Sequence, residues 1–78
     1  MRVEVFSRPD CCLCEEAKEL LERVRRTVTF DLEIRDISGD AELVQKFGHE
    51  IPVVFIEGRK AFKGRVDEGK LLRRLGLR

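Results

Sequence analysis

Ile51-Pro52-Val53-Val54-Phe55-Ile56 is an unbroken apolar run that contains a proline near its start. A run this short reads as a strand. With no polar residue at alternate positions, it needs cover on both faces. In a chain of 78 residues that demand dictates the architecture. The strand must belong to a sheet, and helices from the same small chain must cover it. Nearly every other apolar residue is then needed for the core.

The remaining sequence supplies those layers. Residues 2–7 alternate through Val3, Glu4 and Val5 to Phe6, which predicts a first strand. Leu13, Ala17, Leu20, Leu21 and Val24 share one face of a helix predicted over 12–26. Glu19 with Arg23 and Glu22 with Arg26 are spaced as i,i+4 ion pairs along it. Residues 29–35 alternate cleanly, as an edge strand with one wet face would. Ser38-Gly39-Asp40 is a turn with a capping residue. Ala41, Leu43, Val44 and Phe47 then form a short helix, with Gly48 expected as its left-handed C-cap. Glu57-Gly58 is a hairpin turn signal, and 60–63 returns as the last strand. Asp67 is placed to cap a final helix carrying Leu71, Leu72 and Leu75, with Val66 and Leu71 at staple positions. Phe6, Phe30, Phe47, Phe55 and Phe62 all fall at core positions.

The order is β-α-β-α-β-β-α in a single domain over 1–78, without repeats or linkers. The first two strands should be parallel neighbours joined by a right-handed crossover. The hairpin should add two antiparallel strands, giving a four-stranded mixed sheet flanked by helices.

Sixteen Lys and Arg against fifteen Asp and Glu leave a net charge of +1, and Trp and Tyr are absent. Neither feature argues for nucleic acid. No apolar run approaches the length of a membrane span, and the start, Met1-Arg2-Val3-Glu4, lacks a secretory pattern. The expected setting is the cytoplasm, and the expected state a monomer.

All three cysteines lie within positions 11 to 14, as Cys11-Cys12-Leu13-Cys14. They cannot staple distant segments, which argues against a secreted disulfide scaffold. Cys11 and Cys14 form a C-x-x-C pair at the handover from first strand to first helix. The first turn of a helix offers unpaired N–H groups and the positive end of the dipole. A thiolate held there is stabilised and acts as a nucleophile near neutral pH. Arg8 adds positive charge, whereas Asp10 opposes it or serves as the N-cap. Cys14, one turn on, should be the buried partner that closes a disulfide with Cys11. Cys12 belongs to neither role and is an accessory thiol. A rival reading makes Cys11, Cys12 and Cys14 soft ligands for Zn²⁺ or Cu(I), with His49 or a second chain supplying a fourth donor, or for an iron–sulfur cluster shared between two chains. Another is a binding module whose dithiol is idle.

Together with the C-x-x-C, the stretch from Glu50 to Gly58 resembles the glutaredoxin branch of the thioredoxin-like superfamily, nearly end to end. The resemblance is closest to small glutaredoxin-like proteins whose motif ends in Leu-Cys. It implies a thioredoxin-like α/β fold and a thiol–disulfide oxidoreductase, with Cys11 as nucleophile and Cys14 as resolving thiol. It also implies a cis Ile51-Pro52 bond beside the dithiol, with the Ile51 backbone as a pairing edge for substrate. Arg8, Gly64 and Asp67 match positions that bind glutathione in the family. The implied substrates are protein disulfides or glutathione mixed disulfides. The implied reductant is glutathione or a thioredoxin-reductase-like protein, and no resident cofactor is expected. The chain departs from the familiar family pattern at Cys12-Leu13 inside the motif, at Glu50-Ile51 before the proline, and at the family's Gly-Gly pair near the last strand, which is Lys63-Gly64 or Gly64-Arg65 here.

Overall fold

The structure, a computed structural model, describes residues 1–76. Along the chain lie β1 (Arg2–Ser7), α1 (Cys12–Arg25), β2 (Asp31–Asp36), α2 (Ala41–Phe47), β3 (Val53–Ile56), β4 (Arg59–Lys63) and α3 (Glu68–Arg74). The four strands form one sheet in the order β2-β1-β3-β4. β1 pairs parallel with β2, from Arg2 opposite Asp31 to Ser7 opposite Asp36. β3 runs antiparallel to β1, with Val5 opposite Val54 and Phe6 opposite Val53. The apolar run over 53–56 is therefore an interior strand, and the alternating strand β2 is an edge.

Alternation along the strands sorts the apolar side chains onto two faces. Val3, Val5, Val54 and Ile56 pack with Leu20, Leu21 and Val24 of α1 and with Leu71 and Leu75 at the C-terminal end. Phe6, Ile37 and Val53 face the other way, with Leu43, Val44, Phe47 and Phe55 packed against them. There the rings of Phe6, Phe47 and Phe55 meet pairwise at 5.0 to 5.8 Å. Such aromatic pairs each contribute about 0.5–1.5 kcal/mol beyond their area burial.

The turns follow local chemistry. Glu57 and Gly58 both take positive φ, 53° and 79°, the primed turn that suits the twist of a hairpin. Asp67 caps α3 by accepting from the Lys70 N–H at 3.0 Å. Val66 and Leu71 join the same core cluster, as a hydrophobic staple does. No helix is long and apolar enough to cross a membrane among the described residues.

Three local expectations fail for physical reasons. Gly48 has φ −56° and is helical, not left-handed. A Cβ there would come within 2.4 Å of the Val44 carbonyl oxygen, so close approach rather than positive φ favours glycine. The i,i+4 pairs on α1 do not form. Arg23 reaches across to Glu68 of α3, and Glu22 pairs with Arg25 one turn on at 3.6 Å. Leu13 is only half-buried, because Cys14 takes its place on the buried face with Ala17, Leu20, Leu21 and Val24.

Candidate active site

The site begins where β1 ends. Ser7 is buried, and its carbonyl accepts the Ile37 N–H at 2.9 Å. The chain then turns through Pro9 and Asp10, whose φ is +60°. With Asp10 in that conformation the N-cap is Cys11 instead. Cys11 is extended, with φ −107° and ψ 110°, and its Sγ accepts from the Cys14 backbone N–H at 3.3 Å. This is the role a serine or aspartate oxygen plays at other N-caps.

Cys14 is fully buried. Burial pushes its thiol up to about 11, and a hydrogen bond with the Cys11 side chain acts in the same direction. The Arg8 backbone and the charge of Lys18 pull weakly the other way. Cys12, on the first turn of the helix, is exposed. The three thiols are thus half-buried, exposed and buried in chain order, and all are free. Among the described residues, no three of His, Cys, Asp and Glu gather as metal ligands, and His49 is an exposed residue in the turn after α2.

The Ile51-Pro52 peptide bond is cis, as the resemblance implied. Continuing the register in which Phe6 faces Val53 sets Pro52 across from Ser7, at the end of the sheet where the dithiol lies. Pro52 is buried and Ile51 half-buried. Gly64, at φ +72°, donates its N–H to the carbonyls of Glu50 at 2.8 Å and Pro52 at 2.9 Å. The end of β4 is thereby tied to the proline loop. Arg8 is exposed and meets the site through its backbone, since that amide acts on Cys14. Asp67 stands apart from these contacts, with one carboxylate oxygen engaged as the cap of α3.

Two features were not found by sequence reasoning. Lys18 lies four residues after Cys14, on the same side of α1, close enough for its charge to act on that thiol. The spacing was visible, but an ion-pairing lysine on a charged helix carries no distinctive signal; here it also pairs with Glu15 at 3.3 Å. The second feature is a cleft of about 360 Å³ that starts at Leu13. Ala17 and Leu20 line it from α1, and Arg65 and Val66 from the loop before α3.

The family profile described as Glutaredoxin-like domain (DUF836) matches residues 2–76. A glutaredoxin-like protein of Dictyostelium discoideum is 35% identical over 77 residues, covering 91% of this chain and 71% of that protein. The solution structure of protein Ne2328 from Nitrosomonas europaea superposes with a TM-score of 0.83 at 26% identity, covering 96% of this chain and 91% of that one. A mutant thioredoxin from Halobacterium salinarum superposes with a TM-score of 0.67 over 95% of this chain and 70% of its own. At 19% identity this last likeness concerns the thioredoxin-like fold alone.

Proposed function

The chain belongs to the glutaredoxin-like domain family (DUF836), and on that premise we propose that it catalyses thiol–disulfide exchange. The observation that carries the reading is the asymmetry of the pair. Cys11 is partly exposed and accepts a helix N–H, whereas Cys14 is buried with its thiol pushed up to about 11. Exchange needs an accessible thiolate that attacks and a protonated thiol beside it that waits.

In the proposed cycle the Cys11 thiolate attacks one sulfur of a protein disulfide or glutathione mixed disulfide. The substrate S–S bond breaks, its distal sulfur leaves as thiolate, and a Cys11 mixed disulfide forms. Cys14 then loses its proton and attacks Cys11 Sγ, expelling the second substrate sulfur, which accepts a proton. The product is a Cys11–Cys14 disulfide, and two electrons from glutathione or a thioredoxin-reductase-like protein restore the dithiol. Arg8 supplies positive charge at the mouth. Ile51 and Pro52 offer backbone for an extended substrate, and Gly64 holds that loop. Asp67 keeps its uncommitted carboxylate oxygen for a substrate amine. Cys12, exposed at the start of α1, is accessory.

The test is a pair of variants assayed on a small mixed disulfide and on a protein disulfide. Cys11→Ser should abolish both reactions. Cys14→Ser should accumulate a covalent intermediate with the protein substrate, visible by mass spectrometry. Full activity in Cys11→Ser would overturn the proposal.

A further inference from the structure

The net charge of +1 conceals a strong segregation. Residues 1–57 hold thirteen acids against eight bases, whereas residues 58–78 hold two acids against eight bases. Folding turns this into two unlike sheet edges. Edge strand β2 carries Asp31, Glu33 and Asp36 against one base, Arg35, which pairs with Glu33, and the opposite edge strand β4 carries Arg59, Lys60 and Lys63.

Helix α3 reinforces the basic edge. Lys70, Arg73 and Arg74 join Ala61 and Phe62 around a cleft of about 260 Å³. Glu50 partly offsets the charge, pairing with Lys60 at 2.7 Å and Lys63 at 3.7 Å. On α3, Glu68 is engaged with Arg23 of α1. The cations around the cleft are therefore concentrated where the acids of this chain are not.

We propose that the β4–α3 face docks an acidic, extended segment of a partner protein. Among the described residues β4 pairs with β3 alone, across a register irregularity at Val54/Phe55, and its outer backbone faces no further strand of this sheet. Half-buried Ala61 and Phe62 give such a strand an apolar floor, and the flanking arginines can fork its carboxylates. The chemistry that fits alternates acidic and apolar side chains, because successive residues of a strand point to opposite sides. A nucleic acid fits less well. The chain has no Tyr or Trp on which bases could stack. No cysteine takes part, so the docking face stands independently of the exchange reaction.

The full chain would be titrated into a fluorescein-labelled peptide of alternating Glu and Val, with anisotropy read at several salt concentrations. Binding should saturate, weaken steeply with salt, and fall about tenfold or more in the Arg73→Glu/Arg74→Glu double variant. Amide exchange over 59–63 should slow on binding. Lys70→Glu provides a second variant should the double variant fail to fold, and it should also weaken binding. Several results would overturn the proposal: no saturable binding, or equal binding of a Lys–Val peptide. Tighter binding of a single-stranded oligonucleotide would do so too, as would undiminished affinity in the charge-reversed variants. Protection appearing only outside β4 would count the same way.

Discussion

The Cys14 backbone N–H donates to Cys11 Sγ at 3.3 Å, so the two cysteines are coupled through a helix cap while both are still thiols. One helical turn does two jobs. It presents an N–H to the sulfur that attacks and carries the sulfur that follows into the core. Reactivity and burial are divided between residues only three positions apart.

That division has a pH signature. With its thiol raised to about 11, Cys14 stays protonated near neutrality and should resist iodoacetamide under conditions that modify Cys12. The same shift is a stability term. The folded state holds the Cys14 proton more tightly than the unfolded chain, whose thiol ionises near 8.5. The contribution is fully present below that value, and it is lost as pH rises toward about 11. Denaturation midpoints should therefore fall across this alkaline window, and the Cys14-dependent part of the slope should vanish in Cys14→Ala. Peptide mapping after alkylation checks the first outcome, and urea titrations at stepped pH check the second.

Asp67 separates a structural role from a recognition role. Its carboxylate caps α3 through the Lys70 N–H, and losing a cap costs about 1 kcal/mol. Asp67→Ala should lower stability by that amount. Asp67→Asn keeps a capping oxygen and should leave stability nearly unchanged. If Asp67 also meets a substrate amine, Asp67→Asn should raise the KM for glutathione while kcat holds. An unchanged KM would leave Asp67 as a cap only.

The seam between α1 and the sheet rests on Leu21, which is fully buried among Val3, Val5 and Val54. Leu21→Ala should cost about 2–5 kcal/mol, as large-to-small changes in packed cores do. Thermal melts would register this as a large drop in midpoint. A loss under about 1 kcal/mol would mean that the helix can collapse onto the gap.

How much of this could be read from the residues follows from the range of the forces involved. Periodicity located every strand and helix, because burying one face is a constraint that each element meets within its own sequence. The edge position of β2 followed from the same rule, whereas the place of residues 53–56 within the sheet order did not, since covered faces say nothing of neighbouring strands. Side-chain partners were less legible. Arg23 was matched to Glu19 on its own helix, yet it reaches Glu68, forty-five residues away, because α3 crosses beside α1. Residue type leaves Asp10 open between opposing charge and N-cap, and the turn at positive φ hands the cap to Cys11. Gly48 was read as a left-handed terminus because glycine usually marks one, whereas here it admits a close carbonyl. The unlike charges of the two sheet edges were hidden by a net charge near zero, since summing over the chain discards position.

Asp10 is the residue on which backbone and charge effects can be pulled apart. It occupies φ +60°, a region that asparagine and aspartate tolerate and that β-branched residues do not. Asp10→Val should therefore cost about 1–2 kcal/mol, and the lost geometry should disturb the cap that follows it. Asp10→Asn keeps the backbone and removes a negative charge adjacent in sequence to Cys11. Stability should stay within about 0.5 kcal/mol of the parent. Alkylation of Cys11 near neutral pH should become faster, because one carboxylate no longer opposes the thiolate. Raising the salt concentration should narrow the difference between parent and variant, since the effect is Coulombic and the Asp10 side chain is exposed. Equal alkylation rates at low salt would mean that the turn aims the Asp10 carboxylate far enough from Cys11 for solvent to screen it. The helix N–H donated by Cys14 would then be the dominant influence on the attacking sulfur.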